Sequence, residues 1–425
     1  GDKVVSGSVN LTGVLKIRAE SAYEQSTVAR ILTLVEQATE KKAASERLIT
    51  RFAKYYTPSV IGAAVLLAVI PPLCFGQPFT EWLTRALSFL VISCPCALVI
   101  SVPLSFFSGM GAAAKLGIIV KGGSALEALA KVETMVFDKT GTLTKGEFSV
   151  QQVRGENRDE ILHIAARCEQ YSNHPIAHAL RAAAPDCGAA AENIRETAGN
   201  GITATVDGAS VAVGNRRLME QLGVALPDES FVGTVLYVAK NGRYLGTVVL
   251  GDTLRDGTAE TIRKLHGMGV RKAVMLTGDR EEAAAAVAKE AGLDEFHAQL
   301  LPQDKVALVE QRQETVAFVG DGVNDAPVLT VADAGIAMGG VGSDAAVEAA
   351  DAVLLKDDLS GLPKLLHVAR KTCRIAKENI ILALSVKGVC LVLGALGYAP
   401  MWLAIFADVG VAMLAILNSL RALRQ

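Results

Sequence analysis

Asp138-Lys139-Thr140-Gly141-Thr142-Leu143-Thr144 follows the short apolar run Thr134-Met135-Val136-Phe137, and the junction between the two decides how the rest of the chain is read. The run has the pattern of a strand buried on both faces of a parallel sheet. Ligands of open α/β sheets gather at the carboxyl ends of such strands. Asp138 therefore stands where a carboxylate can attack a γ-phosphate, and the amides and hydroxyls after it can hold the transferred group. A lone Asp-x-Thr would be an ordinary capped turn, but a seven-residue run of this kind is not.

Two more apolar runs end in the same way. Residues 273–276 lead into Thr277-Gly278-Asp279, and residues 315–319 into Gly320-Asp321-Gly322-Val323-Asn324-Asp325. Between them stands Leu301-Pro302-Gln303-Asp304-Lys305. A carboxylate nucleophile beside a polyanion needs its charge neutralised, and Mg2+ takes hard oxygens for that purpose, one or two carboxylates plus phosphate oxygens. Asp138, Asp321 and the Thr140 carbonyl are the expected Mg2+ ligands. Asn324 and Asp325 would orient them, Thr277 would bind the phosphoryl oxygens, and Lys305 would offset charge growing in the transition state. Lys139, Gly278 and Asp279 complete the candidate catalytic set.

Of the 425 residues 51% are hydrophobic, which suits a chain divided between bilayer and water. The net charge of -2 gives no sign of a nucleic-acid surface. Seven cysteines, scattered apart from Cys94 and Cys96, do not make a disulfide framework and imply mostly reduced thiols. Residues 57–75 carry no charge and are long enough to cross a ~30 Å hydrocarbon layer. A second apolar stretch covers 86–114, and 380–420 is apolar apart from Lys387 and Asp408, divided by Gly397-Tyr398-Ala399-Pro400 into a hairpin. Four spans are expected. Lys and Arg bracket one side of them, among them Lys54, Lys115, Lys371 and Arg421, so by the positive-inside rule both hairpins begin and end in the cytoplasm.

Inside the second apolar stretch lies Ser93-Cys94-Pro95-Cys96. Proline removes one helical hydrogen bond and frees a carbonyl about a turn earlier, near Val91. The two thiols flank that break, and thiolates are soft metal ligands. Asp408 and Lys387 both fall near mid-bilayer, where a charge costs ~2.5–3.5 kcal/mol. Such residues pair with one another or serve an ion path. Two thiolates with a carboxylate suit a divalent ion better than Cu(I), which makes Cys94, Cys96 and Asp408 the expected ligands of a transported ion and Lys387 its counter-charge.

These motifs together resemble the P-type ATPases, pumps that pass through an aspartyl-phosphate: DKTGTLT is similar to their phosphorylation signature, and the other two segments to their TGD and GDGxND motifs. The resemblance implies an α-helical membrane domain plus α/β cytoplasmic domains. The latter would be a haloacid-dehalogenase-like, doubly wound phosphorylation domain (120–150 and 250–370) with an inserted α+β nucleotide-binding domain (151–249). It further implies the end of an actuator β domain at 1–20, a helical linker and transmembrane hairpin with the Cys-Pro-Cys at 21–119, and a second hairpin at 371–425. In the heavy-metal subgroup a Glu, a His-Pro, a Gly-x-Gly and a Gly-Asn line the ATP site, so Glu169, His174, Gly199, Gly201 and Asn215 are implied for ATP here. Lys387 and the Asp408-Val409-Gly410 triplet look like the zinc/cadmium/lead branch. ATP, Mg2+, the lipid bilayer and a divalent heavy-metal ion are the implied partners, with no nucleic acid. The implied location is a plasma membrane, bacterial in kind, with cytoplasmic catalytic domains. The Thr-Gly-Glu actuator loop and the metal-binding region would lie before Gly1. A Cu(I) exporter and a membrane-anchored phosphatase of the same fold are the rival expectations.

Overall fold

A computed structural model describes residues 44–172, 174–185, 188, 191–197, 199–228, 233–321, 325–339, 344–396, 398 and 400–423. The expected actuator strands at 1–20 lie outside them. The described residues form two compact units: one holds residues up to 136, 264–272 and those from 304 on, the other 137–263 and 273–303.

The first unit begins with helix α1 (Ala44–Phe75), a turn at Gly76, then α2 (Phe79–Ser93) and α3 (Cys96–Lys115). α2 and α3 would run on as one helix but for Pro95, which has no N–H to give and whose ring excludes the carbonyl a turn back. The Cys94 N–H closes the end of α2 on the Val91 carbonyl at 3.3 Å, the carbonyl the sequence marks as freed. α3 turns small residues inward, among them Ala97, Ser101, Ser105, Ser108, Gly109 and Ala112. Gly109 is seated so closely that a Cβ there would lie 2.2 Å from Thr372 Oγ1. Strand β1 (Ile118–Val120), helix α4 (Gly123–Lys131) and strand β2 (Thr134–Asp138) follow, and the last two residues of β2 open the second unit.

The second unit is built on β3 (Thr144–Gly155), helices α5 (Arg158–Cys168) and α6 (Pro175–Ala183), then β4 (Glu192–Thr197), β5 (Gly201–Val206), β6 (Ala209–Gly214), α7 (Arg216–Gln221), β7 (Thr234–Lys240) and β8 (Arg243–Leu254). The six strands pair antiparallel in the order β3-β8-β7-β6-β5-β4. Ile161 and Leu180 from the helices pack on Val213, Val238 and Val248 from the sheet. The sequence suggests one helix across 159–184. Two form instead, because His174 and Pro175 are a cap and a first helical residue rather than mid-helix ones. After α8 (Thr258–Gly267), strand β9 (Lys272–Leu276) pairs parallel with β10 (Glu295–His297), and α9 (Glu281–Ala291) joins them.

Back in the first unit, α10 (Pro302–Glu310), β11 (Val316–Gly320), α11 (Ala326–Val331), β12 (Ala334–Ala337), α12 (Asp344–Ala349) and β13 (Ala352–Leu354) alternate as a doubly wound fold requires. β11, β12 and β13 pair parallel, and β1 closes on β13 antiparallel. Helix α13 then runs unbroken from Gly361 to Ala395. α14 (Met401–Ile405), one wider turn at Phe406–Gly410 and α15 (Val411–Leu420) complete the unit.

Among the described residues three helical stretches are long and apolar enough to cross a membrane: Lys54–Phe75, Phe79–Lys115 and Trp402–Leu423. The fourth expected span would be the apolar end of α13.

Candidate functional site

Asp138 is the last residue of β2 and is buried. The chain after it turns tightly through Gly141, whose φ of +74° a side chain would resist. Two residues that the sequence reading passed over hold this loop. Arg255, just past β8, donates from Nε to the Thr142 carbonyl at 2.9 Å and from its terminal nitrogen to the Gly141 carbonyl at 2.6 Å. Asp252, on β8, accepts from the Gly146 amide at 3.0 Å and from the Thr144 hydroxyl. Both lie more than a hundred residues beyond the loop, so local spacing carries no sign of them; only the Asp-x-x-Arg at a strand end marks the place. Lys139, also buried, pairs with Asp279. Thr277 directly follows β9, is buried, and accepts from the Asp279 amide at 3.1 Å, so it shapes the Thr-Gly-Asp turn around exposed Gly278. Thr140 is exposed.

In the first unit, Asp321 follows β11 directly and Lys305 lies in α10. Lys305 Nζ meets Asp325 Oδ1 at 3.1 Å. Gly320 leaves room for that carboxylate, since a Cβ there would fall 2.9 Å from Asp325 Oδ2. Burial pushes the Asp325 carboxyl above its ordinary range; the Lys305 ammonium opposes the shift and Asp321 adds to it. Asn324 lies outside the described residues.

The implied nucleotide residues form two groups on the second unit. Glu169 follows α5, and burial raises its carboxyl pKa, with Ser172 and His174 pulling it back. Exposed His174 caps α6 by accepting the Ile176 amide at its Nδ1, 3.2 Å away, which leaves the ring proton on Nε2. Arg181, another residue the sequence did not single out, donates to the carbonyls of Glu169 and Ser172 at 2.6 and 2.9 Å and fixes the turn between them. In the second group, Asn215 caps α7 through the Leu218 amide at 3.1 Å and donates to the Gly199 carbonyl at 2.9 Å. Gly201 has a structural reason to be glycine: its φ is +142° and a Cβ would meet the Val213 carbonyl at 2.3 Å.

The break between α2 and α3 forms the remaining site, inside the first unit. A sulfur of Cys94, a sulfur of Cys96 and a carboxylate oxygen of Asp408 all lie within 4.8 Å of one another. The two sulfurs are joined as a disulfide. This corrects the expectation of reduced thiols for this pair: with Pro95 between them the helix is interrupted, and side chains two apart in sequence turn to face each other. Reduction returns two thiols beside the carboxylate. Cys74, Cys168, Cys373 and Cys390 are free, and burial pushes the Cys168 thiol up to about 12, which keeps it unreactive. Lys387, buried on α13, donates to the Ile92 carbonyl at 3.3 Å, to the Cys94 carbonyl, and to Asp408 Oδ1 at 3.1 Å. The sequence suggests the carboxylate partner; that the ammonium also satisfies backbone carbonyls opened by Pro95 is new.

The haloacid dehalogenase-like hydrolase family matches residues 132–333, and a second family of the same description matches 306–366. A cadmium, zinc and cobalt-transporting ATPase of Bacillus subtilis (strain 168) is 48% identical over 100% of this chain and 62% of its own length. A zinc/cadmium/lead-transporting P-type ATPase of Escherichia coli (strain K12) is 43% identical over 100% of this chain and 59% of its own. The chain thus spans about three fifths of the length of these curated relatives. The crystal structure of a zinc-transporting PIB-type ATPase in an E2.Pi state superposes with a TM-score of 0.81 at 42% identity, covering 95% of this chain and 68% of that one. Fold, motifs and relatives agree, and the chain belongs to the PIB-type ATPases, the heavy-metal branch of the P-type family.

Proposed function

We propose that this chain carries the phosphorylation, nucleotide-binding and ion-binding parts of a pump that uses ATP to export Zn2+, Cd2+ or Pb2+ from a cytoplasm across a plasma membrane. The observation that carries the reading is the gathering of Cys94, Cys96 and Asp408 at a helix break, with Lys387 on the carboxylate. The relatives from Bacillus subtilis and Escherichia coli, whose names specify such metals, support it.

In this reading one oxygen of Asp138 attacks the γ-phosphorus of ATP, the bond to the β-γ bridging oxygen breaks, and ADP leaves. Arg255 and Asp252 hold the loop so that the carboxylate keeps its line of attack. Thr277 donates to the phosphoryl oxygens, and Lys305, steered by Asp325, offsets their charge. Glu169, His174, Gly199, Gly201 and Asn215 take the nucleotide. Asp138, Asp321 and the Thr140 carbonyl, hard oxygens of the kind Mg2+ selects, would hold that ion, whose charge would offset that of the phosphates. Reduced Cys94 and Cys96 with Asp408 hold the cargo ion, and Lys387 takes over the carboxylate when the ion is gone.

The test is phosphorylation of Asp138 in the full-length, reduced protein across a panel of ions. Zn2+, Cd2+ and Pb2+ should each stimulate it, and Asp408→Ala should abolish the stimulation. Stimulation by Cu+ instead, or phosphate turnover indifferent to both metal and Asp408→Ala, would reject the proposal in favour of a copper pump or a tethered phosphatase.

A further inference from the structure

A second polar cluster lies in the same helices as the Cys-Cys-Asp group, with no part in the chemistry so far. Ser101 and Ser105 on α3, Asn379 on α13 and Ser419 on α15 are all fully buried. Asn379 Nδ2 donates to Ser419 Oγ at 2.9 Å and to Ser105 Oγ at 3.2 Å, and those two hydroxyls lie 3.0 Å apart. The Ser101 carbonyl accepts from both, at 2.8 Å from Ser105 and 2.9 Å from Ser419. Asn379 Oδ1 accepts from Asn418 Nδ2 at 2.9 Å, and Asn418 reaches on to Glu378 Oε2 at 3.3 Å. Exposed Arg421 borders this end, 2.6 Å from Asn418 Oδ1 and 3.5 Å from Glu378.

All three helices place the cluster on one side of the metal group. Ser101 and Ser105 are five and nine residues past Cys96, about 7.5 and 13.5 Å along α3, and Asn379 is eight residues before Lys387, about 12 Å along α13. That is the side on which α3 continues to Lys115 and α13 begins, the cytoplasmic side in the reading above. Buried alanines, Ala97 on α3 and Ala383 on α13, occupy the turns between.

Hydroxyls and amides between membrane helices commonly serve as packing glue. Glue alone leaves one feature unexplained. The Ser101 hydroxyl is buried without a hydrogen-bond partner, and an unsatisfied buried hydroxyl costs ~1–3 kcal/mol. The cluster gathers neutral, hard oxygens (the Ser105 and Ser419 hydroxyls and the Ser101 carbonyl) beside the Asn379 amide, which faces the two hydroxyls with its nitrogen and Asn418 with its Oδ1, and it ends at a half-buried carboxylate. Such a set holds a partly hydrated dication weakly, which is what a step on the way to a tighter thiolate site needs.

We propose that Ser101, Ser105, Asn379 and Ser419 form a transient oxygen-lined site for the incoming divalent cation, with Glu378 at its mouth and Arg421 as the cation it displaces. This rests on the pump reading. The experiment uses the full-length reduced protein, with Zn2+ as probe, following the rate of Zn2+ uptake by rapid mixing and the affinity at equilibrium, both without ATP. Ser105→Ala and Asn379→Leu should each slow uptake about fivefold or more with equilibrium affinity held within about twofold, because a waypoint changes arrival and departure together. Ser105→Thr, which keeps the hydroxyl, should restore the rate. Ser105→Cys should trap a second Zn2+ per chain, read by metal analysis. Uptake at the wild-type rate in both slow variants, loss of equilibrium affinity and melting temperature in step with the rate, or a single Zn2+ in the Ser105→Cys protein would each overturn the site. A wild-type protein that binds no Zn2+ would instead overturn the pump reading itself.

Discussion

Two broken stretches of backbone in this molecule are repaired in the same way and in different surroundings. At the loop after Asp138 the carbonyls of Gly141 and Thr142 are held by Arg255, and at the break between α2 and α3 those of Ile92 and Cys94 are held by Lys387. Each cation arrives from far away, 113 residues in one case and 295 in the other. The difference lies in what else the cation touches. Arg255 has a permanently charged, planar fork suited to two carbonyls at once. Lys387 presents a point charge with three donors, and one of them goes to Asp408, a carboxylate with a prospective second partner. The loop near water is held by a fixed clamp, whereas the one in lipid is held by a clamp whose grip is tied to the carboxylate.

The largest expected effect breaks the membrane clamp. Lys387→Met leaves Asp408 and two carbonyls without their donor in an apolar layer and should destabilise the protein by ~3–5 kcal/mol. Adding Asp408→Asn should recover part of that loss, because a neutral partner no longer strands a charge. Thermal unfolding in detergent checks both, and additive losses would show that the pair is not coupled. Next in size, Arg255→Ala should lower the rate of Asp138 phosphorylation by about 10²-fold through misplacement of the attacking group. Zn2+ affinity should stay at the wild-type value, since the clamp near water does not touch the cargo. A parallel fall in Zn2+ affinity would contradict that separation.

The smallest effect is in pH dependence, at a turn held by a third cation, Arg181. Burial is the main cause raising the Glu169 pKa above 4.5. Between 4.5 and that raised value the folded protein binds more protons at this site than the unfolded chain does. Stability should therefore fall as pH rises through that window. Glu169→Gln should remove that slope, and melting curves from pH 4.5 upward would show a persisting slope if another group is responsible.

The strand-end positions of the candidate residues were legible because each ends or follows an apolar run, and strand ends of this type write themselves into local sequence as Asp138, Thr277 and Asp321 do. The helix break was legible for the same reason, because Pro95 acts on its own neighbours. The clamps were not. Arg255, Asp252 and Arg181 are ordinary polar residues in sequence, and their worth depends on backbone brought to them by distant segments. The double duty of Lys387 was half visible: its charge in an apolar stretch demanded a partner, but nothing local says that the partner includes carbonyls of another helix. The His174-Pro175 pair misled the helix assignment, since helical periodicity continues on both sides of a cap. The disulfide between Cys94 and Cys96 ran against an expectation drawn from the whole set of cysteines, which says little about two that a proline forces together.

α13 runs 35 residues without a break and carries Lys387 far along it. From Gly361 to Lys387 is 26 steps, about 39 Å at ~1.5 Å each. Pivoted at its first turn, such a rod magnifies small rotations: a tilt of about 4° would carry the ammonium sideways by about 2.7 Å, comparable with its hydrogen-bond lengths. No rearrangement inside the bilayer would then be required to loosen the hold on Asp408, only a slight lean of a stiff lever at the base where it leaves the sheet.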